Sequence, residues 1–386
     1  MGKALIGGLL AAAAWWNGAA AAEVKAAPYG VTKDGKAVTA YTLINDSGAS
    51  ATVLDFGGAI AAIRVPDRHG VLGNVVLSFQ GLSGWEALAH ANSLIGRYAN
   101  RIFHGFTLDG AHYDLTQNAQ GVTLHGGPPP YASRILAVDP VRKADGAAVT
   151  MRLDSPDGDQ GFPGHVRVAV TYRFTDKNAL RLDFVATTDK PTVINLTNHI
   201  YFNLNGNGTT PIYSHDLQIR AERYSPKGPD GGQLDPAPVA GTPYDFRQPV
   251  VLGDRVAGAL DPALATGGPG APATPPGTVR GYDNSMILDD PGRLDHVAAR
   301  LHDPVSGRIL ELRTTETSLQ LFTPAAERAN LLSEDGRPFV RAPAVALETQ
   351  HLPDSPNHPS FPSTVLRPGQ TFRSTTIFAF STDAKP

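Results

Sequence analysis

The sequence predicts an all-β protein of antiparallel strands with few and short helices. Three observations carry this expectation. Apolar and polar residues alternate with period two in many short runs, the pattern of strands that bury one face. Forty glycines and 32 prolines among 386 residues supply the turns that many short strands require. Helical periodicity is scarce, and the regular succession of strand and helix that builds a parallel sheet is absent.

The elements follow in chain order. Alternation begins at Tyr41; Val53–Phe56 runs into Gly57–Gly58, and Ala59–Val65 stops at Pro66. Trp85–Leu88 is the helix candidate, at most one or two turns. Phe106–Leu108, a turn at Asp109–Gly110 and Tyr113–Leu115 predict a hairpin. The cleanest alternation spans His165–Phe174, turns at Asp176–Asn178 and resumes over Leu180–Val185, so these runs should pair antiparallel. Arg308–Leu312, Leu319–Phe322 and Thr376–Phe380 are further strands. Residues 225–249 and 257–281 are rich in Pro and Gly and are expected as long loops of one domain, because the strand texture is alike on either side. A single domain over 23–386 is therefore expected.

Ahead of it, Lys3 supplies one positive charge, residues 4–16 are apolar or glycine, and Ala19–Ala22 offers a small-residue cleavage site before Glu23. That pattern is a secretory signal peptide over residues 1–22, too short for a span of about 20 apolar residues. The expectation is a periplasmic or secreted protein with no membrane attachment after cleavage. With 33 basic and 36 acidic residues the net charge is −3, which disfavours nucleic acid as a partner and offers no polybasic membrane anchor. The absence of cysteine excludes disulfides, zinc–thiolate centres and thiol nucleophiles. No metalloprotease, serine-hydrolase elbow or phosphate-loop motif is present, and the 12 histidines show no zinc-type spacing. No metal site is expected, and no signal points beyond a monomer or weak dimer.

Chemistry-bearing residues sit in apolar or turn-rich settings: Asn100 and Arg101 in GRYANRI, His125 in LHGG, His199 in NLTNH, Asp283 in GYDN and Glu348 at the end of an apolar run. Each has an ordinary explanation alone. Arg101 could pair across a sheet, His125 and Asp283 could serve turns, and Glu348 could join a structural ion pair. Together, two histidines, two carboxylates, an arginine and several amides suit proton transfer on a polyol held by hydrogen bonds.

These stretches also resemble the aldose 1-epimerase (galactose mutarotase) family. GRYANRI (96–102), LHGG (124–127), SPDGDQGFPG (155–164), NLTNHIYFNLNG (195–206), GTPYDFR (241–247), GYDNSMIL (281–288) and LETQHLPDSPNHPSFPSTVLRPGQ (347–370) follow the family's order from about residue 40 onward. The resemblance implies a large antiparallel β-supersandwich, no cofactor, and interconversion of the α and β anomers of free aldoses such as galactose and glucose. It gives Glu348 the role of general base and His199 that of general acid. Arg101, Asn100, His125 and Asp283 become sugar-binding positions, and Gln320 a further substrate contact. Glu348 would take the C1 proton as a carboxylate while His199, protonated, donates to the ring oxygen. Tyr201 or Phe202 would pack on the sugar. Three places depart from the family's pattern: Pro128–Pro130, Asn284–Ser285 and Pro324–Ala325, and they bear on substrate preference. Two other functions compete: a periplasmic carbohydrate-binding protein without turnover, and a glycoside hydrolase using Asp283 and Glu348 as its carboxylate pair.

Overall fold

A computed structural model describes residues 22–119, 121–139, 142–143, 145–228, 231–256, 279–324 and 331–383. The expected leader up to residue 21, most of the expected loop 257–281, and Ala325 lie outside them.

Three sheets dominate, and every ladder among the described residues is antiparallel. A five-stranded meander pairs Glu23–Val31, Ala37–Ile44, Ser50–Leu54, Ile60–Pro66 and Leu72–Asn74 in sequence order. A ten-stranded sheet starts at Ala137–Val138 and Arg142–Lys143, both paired to Ala147–Ser155. It continues through Val166–Phe174, Ala179–Thr188, Phe372–Thr382, Arg308–Thr314, Ala299–His302 and Asp216–Ile219 to Val250–Val251. A six-stranded sheet orders Tyr201–Phe202, Val345–Gln350, Ser318–Phe322, Asp283–Ile287, Arg223–Ser225 and Ala237–Pro238.

One core joins them. It takes Val53 and Ile63 from the meander, Val168, Leu182, Leu312 and Phe378 from the ten-stranded sheet, and Met286, Leu319, Leu321 and Leu347 from the six-stranded sheet. The ten-stranded sheet thus backs the other two, the layered arrangement that buries one face of each sheet. Because side chains alternate along a strand, the six-stranded sheet sends Leu319, Leu321 and Leu347 inward and leaves Gln320, Phe322, Ala346 and Glu348 on the opposite face. A second apolar cluster of Leu54, Phe79, Trp85, Leu88, Phe339 and Ala346 gathers on that face. The functional site lies between this cluster and the polar residues of the sheet.

The hairpin expected near Phe106 is real but starts earlier. Its second strand is Ala111–Tyr113, not Tyr113–Leu115, and Leu108 pairs with Ala111. Asp109 and Gly110 have φ of 52° and 83°, the positive values of a two-residue turn matched to strand twist, so pairing resumes at once. The helix is Leu82–Ala87, under two turns long, and it starts three residues before the expected Trp85–Leu88. The expected loop 225–249 is not structureless: Ala237–Pro238 pairs with Arg223–Tyr224. Pro238 is tolerated because that strand is the sheet edge, where a missing N–H costs nothing.

Arg97 explains two of the quoted stretches structurally. It is fully buried and donates to the carbonyls of Pro163 (2.7 Å) and Gly164 (3.0 Å) and to Ser155 Oγ (2.6 Å). Arg97 thereby staples residues 155–164 beneath the segment that carries Asn100 and Arg101.

Candidate active site

Strand register assembles half of the site. Gln320 lies opposite Glu348, Ser285 opposite Gln320, and Asp283 opposite Phe322. Adjacent antiparallel strands align these positions on one face, so five side chains scattered over residues 283–348 meet in two neighbouring rows, Ser285–Gln320–Glu348 and Asp283–Phe322. Tyr201, opposite Ala346, extends the second row. Phe202 points the other way into the core against Phe378, at 5.1 Å between ring centroids. Tyr201 therefore lines the pocket and Phe202 does not. The Tyr201 ring stacks on His199 at 4.6 Å and 21°.

Turns place the rest. His199 precedes the Tyr201–Phe202 strand; its N–H donates to the Ser93 carbonyl and its carbonyl accepts from Asn92. Asn100 and His125 both take left-handed backbone, φ 60° and 53°. Their main chains interlock, the His125 N–H donating to the Asn100 carbonyl at 2.8 Å. The Asn100 N–H in turn donates to His125 Nδ1 at 3.2 Å. With Nδ1 an acceptor, the ring proton sits on Nε2, and His125 offers the pocket a fixed donor. Arg101 donates to Asn100 Oδ1 at 2.9 Å and pairs with Asp283 at 3.3 Å.

The result is a cleft of about 370 Å³. Its polar end holds Asn100, Arg101, His125, His199, Asp283 and Glu348; its apolar end holds Leu77, Phe79, Leu88, Phe322 and Phe339. Such a pairing of apolar walls with a few converging polar groups is what small-molecule sites require. Six of the seven residues singled out in the sequence come together here. Gln320 stands one layer behind. It is 1% exposed, its Nε2 donates to Asp283 Oδ1 at 2.7 Å, and its Oε1 accepts from Ser285 Oγ at 2.5 Å. Both ends of the amide are thus engaged in holding Asp283.

His199 Nε2 stands 3.5 Å from Glu348 Oε1, and both side chains are buried. Burial raises the Glu348 carboxyl to about 8, helped by the charge of Asp283 and opposed by Arg101 and Lys227. Burial also pushes His199 well below the usual imidazole range, with His125 and His90 adding to the effect. Burial likewise lowers His125 to about 3, with His90 and Arg101 adding to the effect. In the free site burial favours the neutral pair, protonated Glu348 beside neutral His199, over the ion pair expected from the sequence, because a neutral pair costs less to desolvate. His199 Nδ1 and Glu348 Oε2 are buried and have no hydrogen-bond partner among the described residues.

His125, His199 and Glu348 bring ligand-type atoms within 4.8 Å of one another. Their chemistry does not fit an ion. A metal-bound imidazole normally donates its other N–H to an acceptor, whereas His125 Nδ1 faces the Asn100 N–H, a donor. Binding a cation through Nε2 would set two donors against each other.

Three contributors escaped the sequence reading. His90 packs against His125 and His199, at 6.0 and 5.4 Å between ring centroids. Phe322 meets His199 edge-on at 6.0 Å. Lys227, from the stretch read only as loop, pairs with Asp283. Phe322 was findable, since it lies two residues from Gln320 on the same strand face; His90 and Lys227 carry no local signal.

The sequence profile of the aldose 1-epimerase family matches residues 39–379. A galactose mutarotase of Rattus norvegicus is 35% identical over 353 residues, covering 90% of this chain and 95% of that protein. An aldose 1-epimerase of Escherichia coli (strain K12) is 34% identical over 357 residues, covering 90% and 96%. Among solved structures, an aldose epimerase homologue from C. elegans has a TM-score of 0.75 at 26% identity, covering 94% of this chain and 99% of that one. A galactose 1-epimerase from Lactobacillus acidophilus NCFM shares the fold, with a TM-score of 0.77 at 23% identity and coverage of 94% and 99%.

Proposed function

This chain belongs to the aldose 1-epimerase family and is a mutarotase, and on that premise we propose that Glu348 and His199 carry the proton transfers. One observation carries the assignment: a buried carboxyl and imidazole 3.5 Å apart at the polar end of a sugar-sized cleft. A cyclic aldose is a hemiacetal. Opening it moves the C1-hydroxyl proton away and brings a proton to the ring oxygen as the C1–O5 bond breaks and the C1 carbonyl forms. With the proton of the pair on His199, Glu348 takes the C1-hydroxyl proton and His199 delivers its own to O5. The pair then stands as protonated Glu348 and neutral His199, the same arrangement that burial favours in the free site. Rotation about C1–C2 presents the other carbonyl face. Closure reverses both transfers, with Glu348 as acid and His199 as base.

Around them, His125 Nε2–H would stabilise negative charge developing on a sugar oxygen, as a preorganised donor does. Asp283 and Asn100 would accept and donate hydrogen bonds to ring hydroxyls. Tyr201 and Phe322 would meet the sugar's C–H face. The hydrolase reading finds no support at Asp283, whose two oxygens already receive Arg101, Lys227 and Gln320. That leaves a poor proton donor or nucleophile for a glycosidic bond. D-galactose and D-glucose are the substrates we propose, acted on outside the cytoplasm once residues 1–22 have been removed. The leader composition supports this, and mass determination of the exported chain tests it, with a start near Glu23 expected.

The deciding experiment is polarimetry on freshly dissolved α-D-galactose and α-D-glucose. Wild type should speed the approach to anomeric equilibrium. Glu348→Gln should lose about 10²–10⁴-fold of that rate while still binding sugar in calorimetry. A Glu348→Gln enzyme as fast as wild type would remove the carboxyl from the mechanism.

A further inference from the structure

Asp283 is held by more than the sequence suggests. Gln320 donates to its Oδ1 at 2.7 Å, Arg101 reaches its Oδ2 at 3.3 Å, and Lys227 pairs with the same Oδ2. Lys227 is not a stray surface cation. Its side chain is 20% exposed, and burial lowers its proton affinity against the pull of Asp283. A built stem fixes its position. Lys227 bridges to Gln233, the Leu234 N–H donates to the Pro226 carbonyl, and Ser225 Oγ donates to the Leu234 carbonyl at 2.8 Å. Asn284, one of the residues that departs from the family's pattern, donates through Nδ2 to the Ser225 carbonyl at 3.2 Å. Its neighbour Ser285 holds Gln320. The two departures therefore brace two of the three supports of Asp283, the Lys227 stem and Gln320.

The charges facing the reacting pair can be counted. Glu348 is met by His199 and His125, with His90 packed against both, and by the charges of Asp283 on its own sheet, Arg101 on the short strand beside His125, and Lys227. Asp283 is also faced by Tyr244. The imidazoles are neutral, so two carboxyl groups stand against two cations. Without Lys227, an ionised Glu348 would leave the cluster with one uncompensated negative charge.

We propose that Lys227 is a positioning residue for mutarotation: it fixes the Asp283 carboxylate for the sugar and, as the second cation of the cluster, sets the pH at which the Glu348–His199 pair loses its working proton. This rests on Glu348 being the proton-transfer group. Neither Arg101 nor Lys227 is offered to an anionic substituent on the sugar, because both are spent on Asp283.

The test is the pH dependence of kcat/KM for galactose in wild type, Lys227→Met and Lys227→Arg. In Lys227→Met the alkaline limb should move up by about one pH unit, the effect of deleting one nearby unit charge at the dielectric of a partly exposed site. KM should rise several-fold as Asp283 loosens. Lys227→Arg should return the limb to its wild-type position, which a merely structural loss would not do. A limb that stays put in Lys227→Met overturns the proposal. So does turnover of a hexose 6-phosphate faster than of the free hexose and lost in Lys227→Met, which would make Lys227 a substrate-binding cation. Titration of the protonated-carboxyl infrared band, assigned by its loss in Glu348→Gln, gives the same shift without turnover and covers a poorly active variant. An active Glu348→Gln would instead overturn the reading of Glu348, so the two failures are separable.

Discussion

At Glu348 and His199 the chemistry needs one proton on the pair, and both ends of the pH range should abolish it. Above about 8 Glu348 ionises while His199 is already neutral, and no proton remains for the ring oxygen. In acid His199 becomes charged beside protonated Glu348, and no base remains; its lowered affinity moves that limb well below 6.5. The expected profile is a bell with a broad plateau on the acid side of 8, and a flat profile from pH 5 to 9 would contradict the pair. His215 is a residue of another kind. It is fully buried away from the cleft, its Nε2 accepts from the Leu204 N–H at 3.0 Å, and burial lowers it to about 4. Its folded value lies below its unfolded one, so its contribution is complete above the unfolded value of about 6.5 and is lost as pH falls toward 4. The shift corresponds to about 3 kcal/mol. Denaturant melts at pH 7 and pH 4 should show that loss, and His215→Gln, which keeps an acceptor for Leu204, should shrink it.

The strand is the unit that sorts neighbours into different roles. Tyr201 and Phe202 are adjacent, yet one faces the sugar cleft and the other the core. Phe202→Ala should cost about 3–5 kcal/mol in chemical denaturation, because it empties a packed core position. Tyr201→Leu should cost less stability but raise KM, since it removes the ring stacked on His199. The same alternation was readable in the sequence around Leu319–Phe322, and it correctly separates Leu319 and Leu321 from Gln320 and Phe322. What it could not show is that Gln320 would be covered by Asp283. That depends on how the next strand aligns, a register set by tertiary pairing. Arg97 makes the matching point for turns. Although it sits four residues before Arg101, it bonds inward to residues 155–164. Arg97→Met should destabilise by about 3–5 kcal/mol, because it strands several buried acceptors; intact thermal stability would show that the staple is dispensable.

The largest sheet depends on the C-terminal strand of the described chain. Phe372–Thr382 lies between Ala179–Thr188 and Arg308–Thr314, in the interior of the ten-stranded sheet. A chain ended at Gln370 loses a central strand and leaves two long edges unpaired. Such a chain should be recovered as aggregate, and circular dichroism of any soluble fraction should lack the native strand signal. The site shares this non-local character. Its walls come from the turns near residues 100 and 125, the strands near 201, 283 and 322, and Glu348. A ligand that spans these walls should raise the melting temperature of the whole domain as mass action requires, and a galactose titration followed by calorimetry measures it.

The sequence by itself determined the strand-rich class, the antiparallel hairpins and the absence of thiol chemistry, and it singled out Glu348, His199, His125, Asn100, Arg101 and Asp283 as candidates. These rest on local quantities: period-two alternation, turn residues, and polar groups placed in apolar runs that must find partners. Only the tertiary structure decided that Tyr201 faces the cleft, that Gln320 supports Asp283 from behind, and that His90 and Lys227 join the site. It alone showed the burial that raises the Glu348 carboxyl and lowers the His199 imidazole. Those outcomes depend on burial and on charges brought close by strands far apart in the chain, and neither desolvation nor a through-space charge is written in any local stretch of residues.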